Sequence, residues 1–278
     1  MLKHSNPIVS VGWLHKNLNH PNLIVIDATM TKVSGCDDSD SNETSVIKNA
    51  RFLDIKNVFS DTDAPFPNTM LSQEKFEEQA QTLGVNNNSC IVVYDAYGYY
   101  SCARAWWMLK VMGFNNCAIL DGGLSSWLEA NYPTQKKHSI NHSRGNFKAS
   151  YIQGLLINYK NVLNSFEDKN SSILDARSES RFLGTEPEPR EGLRSGHIPN
   201  SKSLPYSFLL NDTKMKSKEE LKELFSKLGN KQLIFTCGSG VTACILALAA
   251  EIVGIKNTAV YDGSWTEWGS LKELPIEK

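Results

Sequence analysis

The sequence predicts an α/β protein of two domains, each a mostly parallel sheet with helices on both faces. Three observations predict it. Short apolar runs of strand length alternate with longer helical patterns. The same succession of motifs occurs twice, in one order and at similar spacing. A chain of 278 residues is more often two domains than one.

In the first half, Ser10 to Asn19 reads as a helix and Leu23-Ile24-Val25-Ile26-Asp27-Ala28 as a strand. Ser72 to Leu83 reads as a helix, Cys90-Ile91-Val92-Val93-Tyr94-Asp95 as a strand, and Ser101 to Met112 as a helix. Ala118-Ile119-Leu120-Asp121 then leads into Gly122-Gly123-Leu124-Ser125-Ser126-Trp127. The second half repeats this plan. Helices are expected at Gly154 to Phe166, Lys218 to Leu228 and Thr242 to Val253. Strands are expected at Ser172 to Ala176, Gln232 to Thr236 and Ala259 to Asp262, the last followed by Gly263-Ser264-Trp265-Thr266-Glu267-Trp268. Trp265 and Trp268, at helical spacing, read as core. The polar stretch from Tyr132 to Ser150 reads as a connection, giving domains at 1–135 and 153–278 with a linker at 136–152. Ser34 to Thr44, rich in Asp and Ser, reads as an exposed loop.

Composition narrows the function. The net charge of −1 gives no reason to expect a nucleic-acid partner. No apolar run is long enough to cross a bilayer, and the first residues lack the apolar core of a secretory signal. The six cysteines include no C-x-x-C pair and no zinc spacing, so no metal is expected of them, and the thiol chemistry described below requires no metal or organic cofactor. Cys90, Cys117 and Cys244 lie in apolar runs as small hydrophobes, while a regulatory disulfide through Cys36 or Cys102 is left open. A reducing cytoplasm fits this usage, with the mitochondrion as the alternative.

The chemistry concentrates at Cys237-Gly238-Ser239-Gly240-Val241-Thr242, between the strand ending at Thr236 and the apolar helix that follows. A glycine-rich turn entering a helix presents backbone N–H groups and the positive end of the helix dipole. Such a site stabilises an anion, so it is expected to lower the Cys237 pKa and enrich the nucleophilic thiolate. Gly238 and Gly240 are expected to supply the backbone angles, and Thr242 to close the loop through its hydroxyl. A cysteine phosphatase would need an arginine after the loop to clamp phosphate. Val241-Thr242-Ala243-Cys244 has none, which favours transfer of a single sulfur.

The chain resembles the tandem rhodanese-domain family, and most closely its mercaptopyruvate-using branch. The carrying motifs are the Cys237 loop, Tyr261 to Trp268, the segment Asp175 to Pro199, Arg104-Ala105-Trp106-Trp107 and Leu120-Asp121-Gly122-Gly123. The resemblance implies two rhodanese-like domains, with the catalytic cysteine only in the second, since Asp95 stands at the corresponding place in the first. It implies attack of Cys237 on the sulfur of 3-mercaptopyruvate, release of pyruvate and a Cys237 persulfide. The sulfur would pass to thioredoxin, a small thiol or cyanide, with hydrogen sulfide released from the thiol route. In Arg181-Phe182-Leu183-Gly184-Thr185-Glu186-Pro187-Glu188-Pro189-Arg190, it implies that Arg181 and Arg190 hold the keto acid. Ser239 would polarise the substrate or pass a proton. Arg177, Arg194 and His197 read as structural. Relatives carry His-Ile-Pro-Gly-Ala where this chain has Val46-Ile47-Lys48-Asn49-Ala50, so a cysteine–serine–histidine relay is not expected. The alternatives are a thiosulfate:cyanide sulfurtransferase, a cysteine phosphatase and a noncatalytic sulfur carrier.

Overall fold

Two five-stranded sheets, each wholly parallel, organise the computed structural model, which describes residues 1–30, 45–166, 168, 170–226, 228 and 231–278. Ser34 to Thr44 and Cys36 lie outside the described residues. The first sheet runs in the order Ile8–Val9, Cys117–Leu120, Cys90–Tyr94, Leu23–Asp27 and Arg51–Phe52. The second runs Leu156–Ile157, Thr258–Tyr261, Gln232–Thr236, Ser171–Asp175 and Lys202–Ser203. The two orders are the same strand for strand, so the repetition seen in the sequence is a repetition of topology.

The central strands explain their own position. Cys90–Tyr94 is buried at every residue and is dominated by β-branched side chains, as a parallel strand covered on both faces requires. Its counterpart Gln232–Thr236 is buried from Leu233 onward. Helix Ala243–Val253 is apolar nearly all round and buried through Ala250, because it packs on Gln232–Thr236, on Thr258–Tyr261 and on helix Lys218–Ser226. Helix Cys102–Val111 packs likewise on Cys90–Tyr94 and Cys117–Leu120. Helix starts follow capping chemistry: Ser10 Oγ accepts from Trp13 N and Ser72 Oγ from Lys75 N.

One expected helix is corrected. Residues Gly154 to Phe166 do not form a single helix. Leu156–Ile157 extends the sheet edge beside Val260 and Tyr261, and the helix is confined to Tyr159–Asn164. Asn158 forces the break, because its side chain accepts from Lys160 N and Asn161 N in a capping box. The segment around Arg181 also gains a short helical turn, Glu179–Phe182.

The chain divides into two compact units, and the division is not a single cut. One unit comprises residues 1–59 and 71–152, the other residues 60–70 and 153–278. The excursion 60–70 is pinched shut by an antiparallel bridge between Ser60 and Met70 and by Asp61 N donating to Thr69 O at 2.8 Å. Met70 N then donates to Asp262 Oδ2 at 2.9 Å. Among the described residues, no helix is long and apolar enough to cross a membrane.

Candidate functional site

Cys237 emerges at the carboxyl end of Gln232–Thr236, where open parallel sheets bind ligands. The turn after it is held from below by the next strand–helix junction. Ser264 Oγ accepts from Cys237 N at 3.2 Å and donates to Tyr261 O at 2.8 Å. Trp265 N donates to Cys237 O at 2.9 Å, and Gly238 O accepts from Thr266 N and Thr266 Oγ1 at 2.8 and 2.6 Å. Ser264 sits at φ 48°, a left-handed conformation that bends the chain under the loop. Trp265 and Trp268, fully buried, anchor that junction in the core.

Each loop residue has its own reason. Gly240 adopts φ 73°, where a side chain would be strained. Gly238 does not need an unusual torsion; a Cβ there would lie 3.2 Å from Arg181 Nη2 and 3.9 Å from Arg190 Nη1. Gly238 thus permits close approach, a correction to the expectation that both glycines serve backbone angles. Thr242 makes no side-chain capping bond to the helix it begins; the loop carbonyl of Gly238 is held instead by Thr266. Helix Ala243–Val253 therefore starts without a side-chain cap, and its early amides turn back on the loop, Cys244 N donating to Val241 O at 3.2 Å and Ile245 N to Thr242 O at 3.1 Å. Val241 is buried.

The structure brings Arg181 and Arg190 to this loop from the segment 177–196. Arg181 is oriented by Glu188, which takes its Nε and Nη2 edge in a two-point ion pair. Arg190 Nη2 reaches Ser239 Oγ at 3.4 Å. Glu188 is shared with Arg177, whose guanidinium also grips Asp175 at 2.6 Å, donates to Gly196 O at 2.8 Å and lies 4.4 Å over the Trp265 ring. Burial works against the Arg177 charge, but Asp175 and Glu188 outweigh it and hold the group protonated more firmly than usual. Arg194 spends its guanidinium on the carbonyls of Trp268, Gly269, Leu271 and Leu274 at the end of the last helix. His197 stacks on Phe182 at 3.8 Å and bonds Phe182 O through Nδ1 at 2.8 Å.

Val46 lies in a two-residue strand paired with Gln135, buried and unable to titrate. Besides the arginines, Asn68, from the excursion 60–70, brings a polar side chain to the loop. Its Nδ2 lies 3.0 Å from Ser239 Oγ and 3.5 Å from Ser239 O. Sequence reasoning missed Asn68, because an asparagine between Pro67 and Thr69 looks like ordinary turn chemistry.

The first unit shows what the cysteine's place becomes without a thiol. Leu124 N donates to Asp95 O at 3.1 Å, as Trp265 N does to Cys237 O. Seven residues on, Cys102 Sγ meets Gly98 O at 3.4 Å and Cys244 Sγ meets Gly240 O at 3.3 Å, which fixes the register between the two loops. The Asp95 carboxylate accepts from Tyr97 N, Ser101 N and Cys102 N at 2.8, 2.7 and 2.8 Å. The corresponding amides of the second loop belong to Ser239, Ala243 and Cys244. The neighbouring thiols of the first unit are unsuited to nucleophilic work: burial pushes Cys90 up to about 11 and Cys102 well above its ordinary value.

Comparison with known proteins agrees with the repeated fold. The rhodanese-like domain family matches residues 10–130 and 158–271. Human 3-mercaptopyruvate sulfurtransferase is 37% identical, covering 94% of this chain and 91% of the relative. Thiosulfate sulfurtransferase of Cricetulus griseus is also 37% identical, over 94% and 91%. The crystal structure of SseA from Escherichia coli, described for the rhodanese fold of 3-mercaptopyruvate sulfotransferases, superposes with a TM-score of 0.82 at 31% identity, covering 94% of this chain and 99% of that one. Two copies of one parallel-sheet topology, with a cysteine on the strand-to-helix turn of the second, place this chain in the rhodanese-domain family of sulfurtransferases.

Proposed function

We propose that the protein moves sulfur from 3-mercaptopyruvate through a persulfide on Cys237 to a thiol acceptor. The observation that carries this reading is the placing of two guanidinium groups, Arg181 and Arg190, against Gly238 beside the thiol. Identity alone is silent on the donor, since a mercaptopyruvate and a thiosulfate enzyme are equally similar. Charge is informative. Asp175 and Glu188 offset two of the three guanidiniums of Arg177, Arg181 and Arg190, leaving one net positive charge. One positive charge matches the single carboxylate of a keto acid better than the dianion thiosulfate.

In the proposed reaction the Cys237 thiolate attacks the substrate sulfur. A sulfur–sulfur bond forms and the carbon–sulfur bond breaks. The electron pair goes to the methylene carbon and delocalises onto the carbonyl oxygen as the pyruvate enolate, which a proton then quenches. The outer sulfur keeps its own hydrogen as Cys237–S–SH. A thiolate acceptor attacks that outer sulfur and returns Cys237 as thiolate; a second thiol would release hydrogen sulfide and leave a disulfide. Cyanide in place of the thiol gives thiocyanate. Thioredoxin is the proposed protein acceptor, in a reducing compartment such as the cytoplasm or mitochondrial matrix. Arg181 and Arg190 bind and orient the keto acid, and the amides of the loop hold the anionic sulfur.

Intact-mass measurement after incubation with 3-mercaptopyruvate tests the reading. The expected result is a gain of one sulfur atom that disappears in Cys237→Ser, with pyruvate formed in equal amount. Persulfide formation from thiosulfate but not from mercaptopyruvate would instead establish the thiosulfate enzyme.

A further inference from the structure

The geometry points to Asn68 as a positioning residue that, together with Arg190, commits the Ser239 hydroxyl to donate its proton to the substrate. Ser239 Oγ lies 3.0 Å from Asn68 Nδ2 and 3.4 Å from Arg190 Nη2. The orientation of the amide is set by its second contact: the Ser239 carbonyl oxygen, 3.5 Å away, can only accept, so the NH2 end faces Ser239. A guanidinium carries no acceptor either. Both neighbours therefore take up lone pairs of the hydroxyl, and its own proton is left for a third group. Asn68 is only 6% exposed, so water does not easily replace it.

The third group follows from the proposed function, on which this inference rests. Arg190 touches Ser239 and also borders Gly238, so an anion gripped by Arg190 lies beside the hydroxyl. As the carbon–sulfur bond breaks, negative charge builds on the carbonyl oxygen of the keto acid. A hydroxyl whose proton is committed to that oxygen stabilises the enolate without having to reorient. The excursion 60–70 is what carries Asn68 there. Its tip turns through φ 63° at Asn68 itself, a conformation asparagine and aspartate tolerate better than most residues.

Asn68→Asp is the decisive variant, since it keeps the shape and the left-handed preference but turns a donor into an acceptor. The carboxylate would draw the Ser239 proton toward itself and away from the substrate. Asn68→Gly keeps the backbone conformation and merely releases the hydroxyl. Steady-state kinetics with 3-mercaptopyruvate should show kcat reduced about 10- to 100-fold in Asn68→Asp, less in Asn68→Gly, with KM changed by less than about 3-fold in both. In a Ser239→Ala background neither substitution should lower kcat further. A role in fold alone would not make the isosteric aspartate worse than glycine. The inference is overturned by wild-type kcat in Asn68→Asp, by an effect carried in KM, or by losses that multiply on those of Ser239→Ala. Should Asn68→Asp not fold, the Asn68→Gly and Ser239→Ala cycle decides by the same additivity criterion. A wild-type protein that forms no persulfide from mercaptopyruvate overturns the proposed donor and this inference together; a normal wild type with an indifferent Asn68→Asp overturns the inference alone.

Discussion

Gly238 owes its place to its neighbour across the loop and not to its own backbone. A methyl group 3.2 Å from Arg181 Nη2 would push that guanidinium aside, and Glu188 holds the same Nη2 together with Nε so that the group cannot move freely. Gly238→Ala should therefore lower kcat/KM for mercaptopyruvate roughly 10- to 100-fold through a raised KM, with thermal stability little changed; steady-state kinetics and a melting curve check both parts. At this scale the sequence named the residues that the fold gathers but not the partners that hold them. Cys237, Ser239, Arg181 and Arg190 carry their chemistry in their residue type and order, and the fold brings them together. Thr242, expected to close the loop through its hydroxyl, makes no capping bond, and the loop carbonyl of Gly238 is held by Thr266, which is remote in sequence. Asn68 was invisible for a related reason. Its meaning depends on a contact across 171 positions, and nothing in Pro67-Asn68-Thr69 announces it.

The cysteine loop is a suspended element. It hangs from a strand and a helix that are both nearly buried, and the junction at Tyr261 to Thr266 props it from beneath. The arginine segment is tied to the same junction by Arg177, which joins the end of strand Ser171–Asp175 to Glu188, Gly196 and Trp265. Arg177→Met removes the cation but leaves Asp175 and Glu188 buried with less compensation. The expected cost is about 3–5 kcal/mol, measurable by denaturant unfolding, with a raised KM because Glu188, which orients Arg181, loses its own anchor. Element boundaries were legible where a cap or a long apolar run marks them, as at Ser72 and Ala243. Boundaries failed at Gly154 to Phe166. A two-residue edge strand has too few positions to show a period of two, and the helix after it begins only because Asn158 caps it.

Repetition governs the molecule as a whole, and it was plain in the sequence because strand-end motifs recur in order. What could not be read was the exchange of residues 60–70, which follow one unit in sequence and belong to the other in space. Stability at this scale also depends on pH. Burial raises the Glu267 pKa, the Asp262 charge adds to this, and the Tyr261 hydroxyl opposes it. A carboxyl that holds its proton more tightly when folded contributes stability below the unfolded range near ~4.3. That contribution is lost as pH rises through the folded value. Glu267→Gln should accordingly be more stable than wild type at pH 7, the difference vanishing below about pH 4; melting curves across that range check the sign. The two loops finally differ in when their amides are occupied. Asp95 is an anion welded into its own receptor, so the first loop is saturated from the moment it folds. The second loop carries the Cys237 thiol in place of that carboxylate, and in the proposed reaction its sulfur would change in charge and length with each half-reaction. One half of the duplication is a clamp that never opens its account with solvent; the other has surrendered that permanence, and the surrender is what lets the same scaffold hand a sulfur atom onward.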